Sequence, residues 1–235
     1  ACKRVRITVQ GHRVKNIYRF AAIAVVAVAA VNAQAAIDLR VKGTIVPASC
    51  VPFMQGGGVV DYGIITAESL NQTSYTVLDK KEIAFSINCQ SGTKVGLKAL
   101  DGKSFSQIPG ILASTIGADY TDNYNYGLGM SEGSNKIGGY AINLKAGSFN
   151  ADGTPVRAIA SLDDGQTWLT TATGAVGQNT NMMSWSTQTG ALSPVSFVTL
   201  SGAMEVQAVI NKIDDLAIDD DVTLDGLTTF ELSYL

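Results

Sequence analysis

Histidine is almost absent from this sequence: one residue, His12, in 235. A Ser-His-Asp triad, a Cys-His nucleophile pair and a His-ligated zinc site all need an imidazole in the folded chain. His12 precedes a stretch that reads as a cleavable leader, so the remainder has none of those chemistries open to it. Basic residues are just as unevenly placed. Six of the 17 (Lys3, Arg4, Arg6, Arg13, Lys15 and Arg19) lie before residue 34, where no acidic residue occurs. The rest keeps eleven basic against 20 acidic residues, a net charge of −9. Nucleic-acid binding rests on Lys and Arg neutralising phosphates, and this balance argues against it. A long apolar run is missing too. Phe20–Val31 is twelve residues long, whereas a membrane-spanning helix takes about 20. Outside that run, no window of twelve or more residues carries a helical apolar period, and no internal repeat occurs.

What is present begins with that run. Arg13, Lys15 and Arg19 form a basic flank, "FAAIAVVAVAAV" is the apolar centre, and "VNAQAA" supplies small residues at signal-peptidase spacing. The segment is read as a secretory signal with cleavage after Ala33 or Ala35, and the preceding "ACKRVRITVQGH" as upstream sequence. An exported chain meets an oxidising compartment. Of three cysteines, Cys2 lies upstream, and Cys50 and Cys89 remain as an even pair, expected to be disulfide-bonded. In the chain-entropy picture, closing a loop of this length stabilises by about 4 kcal/mol.

Period-two alternation dominates the rest. "IDLRVKGTIV" places Ile37, Leu39 and Val41 on one face, and "EIAFSINC" does so with Ile83, Phe85 and Ile87 before Cys89. "KVGLKAL", "MEVQAVINKI" and the closing "TTFELSYL" repeat the pattern, the last with Phe230, Leu232 and Tyr234 on one side. "GGGVVDYGII" adds a short apolar strand after three glycines. Short strands separated by turn formers such as Asp101-Gly102, Gly138-Gly139 and Asp152-Gly153 predict an all-β sandwich or barrel. The layout expected is an upstream segment and signal over 1–33 and one β-sandwich domain over 34–235, interrupted at about 117–194 by a loop- and hairpin-rich insertion.

That middle region is rich in Gly, Ser, Thr and Asn, and scatters aromatics through them. Its plain reading is exposed hairpins and loops. Its functional reading is a ligand surface, with Tyr124, Tyr126, Trp168 and Trp185 as platforms for a host or surface glycan. "SLDDGQTW", Ser161–Trp168, matches the Asp-box pattern S-x-D-x-G-x-T-W, a hairpin-forming motif that is structural where it recurs in sialidases. Here it occurs once and without an arginine cluster. The acidic residues Asp214, Asp215 and Asp219–Asp221 lack the spacing of an EF-hand and read as a solvated turn rather than a calcium site. Gly56–Gly58 lacks the continuation of a phosphate loop. No catalytic constellation, metal set or cofactor motif is visible, and the chain is read as not an enzyme.

Four pieces in order then point to one family. "LRVKGTIVPASC", "VVDYGIITAESL", "IAFSINCQ" and the closing pair "MEVQAVINKI … TTFELSYL", with its penultimate Tyr234, together resemble chaperone–usher fimbrial subunits. The resemblance covers about 34–105 and 195–235. It implies an immunoglobulin-like sandwich lacking its last strand, whose groove is filled first by a periplasmic chaperone and later by a neighbouring fimbrial subunit, at an outer-membrane usher. It implies too that Leu224, Phe230, Leu232 and Tyr234 wall that groove, with the final carboxylate anchored on the chaperone. The location implied is the periplasm in transit, then the fimbrium at the cell surface, with a role in cell adhesion. Two departures stand out: Val222 occupies the position fourteen from the C-terminus where the family often has Gly, and few residues precede the first strand. The alternative is a self-contained carbohydrate-binding β-sandwich module of the periplasm or surface.

Overall fold

The computed structural model describes residues 39–43, 49–132, 134–216, 218 and 220–235. The expected leader and most of the strand expected over 37–46 lie outside the described residues; residues 39–43 carry no regular secondary structure. The chain divides into two compact units, Ala1–Ile45 and Val46–Leu235, and the second contains the strands.

The architecture is all-β. Among the described residues twelve strands follow one another: β1 (Cys50–Met54), β2 (Thr76–Val77), β3 (Lys81–Thr93), β4 (Val95–Asp101), β5 (Tyr126–Gly127), β6 (Gly138–Leu144), β7 (Asn150–Ala151), β8 (Thr154–Ser161), β9 (Leu169–Thr170), β10 (Met182–Thr187), β11 (Phe197–Ile210) and β12 (Thr228–Tyr234). A single turn of α-helix, α1 (Ile213–Leu216), follows β11. The strands join in the order β1–β3–β11–β7–β8–β10–β4–β12, while β2 and β6 also pair with β11, β5 with β6 and β9 with β8. The β7–β8 hairpin carries the strands from one layer to the other. The arrangement therefore nearly closes on itself, and β1 and β12 are the two ends that do not meet.

Strand β3 shows why these segments are strands. Ile83, Phe85, Ile87 and Cys89 are buried, while Glu82, Ala84, Asn88 and Gln90 are exposed, the alternation a pleated chain with one wet face requires. Strand β11 is fourteen residues long. It pairs with β3 on one edge, from Thr199↔Asn88 to Val206↔Lys81, and with β6 on the other, from Met204↔Leu144 to Ile210↔Gly138. At the centre lies Trp185 of β10, fully buried, with Phe85, Phe149 and Phe197 at centroid distances of 6.5, 5.5 and 6.2 Å. Rings at such separations add stabilisation beyond the area they bury.

The middle of the chain is not an excursion from this core. Residues 117–194 supply β5 to β10, and Tyr126, Ile142, Leu144, Val156, Met183 and Trp185 belong to the main buried cluster. The expectation of exposed hairpins fails because β6 is buried on both faces. Its inward residues Tyr140, Ile142 and Leu144 face the main core. Its outward Ala141 is covered, with Val209, by Ile111 and Leu112 of the loop that crosses the sheet. A strand covered on both sides has no wet face, so no period of two appears in its sequence.

The expected disulfide is present. Cys50 and Cys89 are bonded, and they are direct cross-strand partners in the β1–β3 ladder. The staple thus locks β1, an end strand of the sheet, onto its neighbour.

Candidate functional site

The site is the seam between β1 and β12. Strand β1 covers β3 only from Phe85 to Cys89, where Met54 pairs with Phe85 and Cys50 with Cys89. Strand β3 continues to Lys81, so the other half of its edge loses this cover. Past Met54 the chain turns through Gly56, Gly57 and Gly58, at φ of 60°, 70° and 84°. Three successive left-handed residues are open to glycine at no steric cost and to few others. The chain then runs on as Val59–Thr66, outside any strand.

Across the seam a second segment, Asp220–Leu227, leads into β12 and is also outside any strand. Each segment alternates. Val60 and Tyr62 are half-buried while Val59 and Asp61 are exposed; Val222 and Leu224 are half-buried while Asp221, Thr223 and Asp225 are exposed. Both have the side-chain pattern of strands. Among the described residues, no backbone hydrogen bond reaches Val59–Ile65, and none reaches Asp220–Leu224. The second segment is tied only at its base, where Asp225 N–H donates to Leu128 C=O at 2.9 Å and Leu227 C=O accepts from Gly102 N–H at 2.8 Å. Gly226 is needed there: a Cβ would stand 2.7 Å from Tyr140 Cε1.

Between these two lips is a cleft of about 1200 Å³. Its floor is the sandwich interior: Ile83 of β3, Tyr140 and Ile142 of β6, and Met204, Val206, Ala208 and Ile210 of β11, with Phe230 of β12 on one wall. Burial of its Tyr140 phenol raises that group's pKa, so the hydroxyl stays protonated and bonds Thr228 Oγ1 at 2.7 Å. The cleft is apolar within and edged by unpaired peptide groups. Chemically, that is a receptor for an extended chain.

One end of the cleft is shut. Tyr234 Oη accepts the Cys50 N–H at 3.0 Å, a side-chain bond between the two strands that otherwise fail to meet. Of the residues expected to wall a groove, Leu224 and Phe230 line the cleft. Leu232 packs against the main core, and Tyr234 makes the bond just described. The expected wall is thereby shortened to its first half. Beyond Phe230, the Tyr234 bond to Cys50 joins β12 to β1.

The aromatic surface expected in the middle region does not form. Tyr126 and Trp185 are 0% exposed, the Tyr126 hydroxyl donating to Val176 C=O at 3.0 Å; both are core residues and cannot hold a glycan. They were drawn to that reading by polar neighbours in sequence, whereas the fold points their rings inward. Tyr124 and Trp168 are half-buried and lie on separate loops.

The Asp box is a self-contained hairpin. Asp163 accepts from Thr167 N–H at 2.8 Å, from Thr167 Oγ1 at 2.6 Å and from Ser161 Oγ at 2.7 Å, and Gly165 N–H donates to Ser161 Oγ at 2.8 Å. The Thr167 bonds, with that from Ser161, hold the Asp163 carboxyl down to about 2. Its acceptor capacity is spent within the turn, which is a structural rather than a ligand-binding use. Among the described residues, no three His, Cys, Asp or Glu side chains converge as a metal set would; Asp219 of the acidic run lies outside the described residues.

The residues that sequence reasoning missed are those of the first lip. Val60 and Tyr62 were legible only as a short strand, and the signal for their role is the glycine run before them: it marks where β1 leaves its neighbour.

An all-β, sandwich-like domain with an open apolar seam is thus the class that fold and site define. Comparison with known proteins adds no activity. A family described as a protein of unknown function (DUF1120) matches residues 39–141, which take in both disulfide cysteines and the first lip. The protein GltF of Escherichia coli (strain K12) is 28% identical over 251 residues, covering 94% of this chain and 98% of that protein. The uncharacterized protein YhcF of the same strain is 27% identical over 226 residues, covering 88% and 94%. This chain is similar to both along nearly their whole lengths, and neither name states a ligand or reaction.

Proposed function

We infer that this chain is an exported, non-enzymatic subunit of chaperone–usher fimbriae, or a relative of such subunits, and that it works by accepting a β-strand. The observation that carries the reading is the seam: two extended lips without backbone partners over an apolar floor. The incoming strand pairs its N–H and C=O groups with one or both lips and lowers alternate apolar side chains into the cleft. Each Val, Leu or Ile that becomes fully buried contributes about 1.5–3 kcal/mol, and the ladder bonds fix its register. An unfilled seam leaves the open edges of its lips exposed, a hazard for aggregation. A periplasmic chaperone would supply the strand in transit, and a neighbouring subunit would replace it at the outer-membrane usher. Adhesion at the cell surface is then a property of the assembled fibre.

The test uses a synthetic peptide with the sequence Ile37–Val46, which has the required alternation. Added to the purified full chain, it should displace an apolar dye from the cleft and raise the unfolding temperature, and Phe230→Arg should abolish both effects. No thermal shift and no dye displacement with the wild-type protein would overturn the reading. In cells, Tyr234→Ala or loss of β12 should lower periplasmic yield; undiminished accumulation would count against chaperone capture.

A further inference from the structure

Strand β11 has a gap on the edge it shares with β2 and β3. Its ladder with β3 ends at Val206↔Lys81, and its ladder with β2 begins at Val209↔Val77. Between them the chain crosses from Thr76–Val77 to Lys81 without following the edge. Leu78 N–H still reaches Ala208 C=O at 2.9 Å. That leaves the Ala208 N–H without a carbonyl opposite it, while the Val206 C=O on the same edge, at the last position paired with Lys81, keeps a lone pair to spare. Inside an apolar cleft, an unpaired peptide group costs about 1–3 kcal/mol.

The phenol of Tyr62 fills the gap. Its hydroxyl donates to Val206 C=O at 3.1 Å and accepts from Ala208 N–H at 3.1 Å. One hydroxyl thus takes the place of the missing carbonyl for Ala208 and adds a donor to the Val206 carbonyl. Lys81 Nζ stands over the ring, 5.7 Å from its centroid, a placement that favours the ring where it lies. Tyr62 is also the middle of the first lip, whose peptide groups reach no other backbone group among the described residues, the Gly63 N–H being bonded to the Asp61 carboxylate at 2.7 Å. Its neighbours Val59 and Ile64 are 73% and 96% exposed, so beside Tyr62 the lip's apolar packing on the core rests chiefly on half-buried Val60.

We propose that Tyr62 is the positioning residue of the cleft: its hydroxyl, seated in the β11 gap, holds the Val59–Ile65 lip by a side chain and so leaves the lip's backbone open for an incoming strand. This rests on the strand-acceptor reading and extends it. A lip zipped onto the sheet through its peptides would keep only those on its outer edge, and an unbonded lip would have no fixed distance from β12. A side-chain tether meets both requirements.

The experiment starts with the free protein. In the wild type the Ala208 amide should exchange with solvent about as slowly as its paired neighbours in β11. Exchange at the rate of an open amide would overturn the proposal without any variant. In Tyr62→Phe, which keeps the ring and removes the hydroxyl, Ala208 exchange and proteolytic cutting within Val59–Ile65 should each rise about tenfold or more. Tyr140→Phe, which removes the other cleft phenol, should leave the lip unchanged. Equal loosening by both variants, or by neither, would overturn the assignment. With the Ile37–Val46 peptide, Tyr62→Phe should bind about tenfold more weakly at an unfolding midpoint close to wild type; a general structural role would move the midpoint instead. A wild-type protein that ignores the peptide while Tyr62→Phe still loosens the lip would sink the acceptor reading and leave the tether standing.

Discussion

The two sides of this sandwich are built in opposite ways. On one, the β7–β8 hairpin passes the strands from layer to layer, and the adjoining Asp box satisfies itself within eight residues, Ser161–Trp168. On the other, β1 and β12 stop short of each other; one hydroxyl bridges them at one end and a cleft opens at the other. The closed side spends its polar groups locally. The open side keeps peptide groups in reserve. The difference matters because strand-like segments without backbone partners are where a further strand can be added.

The largest effect expected from disturbing this contrast is at the closed, packed centre. Trp185→Ala should lower stability by about 3–5 kcal/mol, read as a shift in denaturant midpoint at unchanged slope. Breaking the staple with a Cys50→Ser, Cys89→Ser pair should cost about 2–4 kcal/mol. It should also expose the β1 end of the seam, so that apolar dye binding rises in the folded protein. Phe230→Ala should cost only about 1 kcal/mol in the free protein, because its side chain is half-buried on the cleft wall. If Phe230→Ala cost as much as Trp185→Ala, the seam would be no different from the core and the comparison would fail. Tyr234→Phe removes the only described side-chain bond from β12 to β1 and should cost about 0.5–1.5 kcal/mol.

The smallest effect is a pH response confined to the closed side. The Asp163 carboxyl titrates at about 2 in the folded protein, against 3.8 for the ordinary group. A depressed pKa contributes stability that is complete above the unfolded value and is lost as pH falls through the folded one. The hairpin should therefore be intact above pH 3.8 and loosen as pH falls toward 2, followed by the Asp163 side-chain resonance. Asp163→Asn should remove the response, while dye binding at the cleft should ignore it.

Legibility in the sequence followed wetness. Strands β3, β11 and β12 have one face in solvent along part of their length, β4 turns half-buried Lys98 and Leu100 outward, and their alternation was readable. The cysteine pair was readable because an even count behind a leader-like segment leaves little else. Strands β6 and β10 were not, because Gly138–Leu144 and Met182–Ser186 are buried throughout and a uniform environment leaves no periodic trace. The cleft was half legible. Leu224 and Phe230 follow from the alternation of the last strand, but where the wall ends depends on how far β1 extends along β3, a length that only pairing reveals. Tyr126 and Trp185 mislead for the same reason in reverse, since polar neighbours in sequence say nothing about which way a ring turns.

Strand β11 has one more consequence, and it concerns time. Its partners β3 and β6 lie on both edges, and residues 199–206 pair with residues 81–88, more than a hundred positions earlier in the chain. Contacts so distant along the polypeptide make for slow assembly. The first layer cannot set until Phe197–Ile210 has arrived, so for most of its synthesis the chain has little to fold onto.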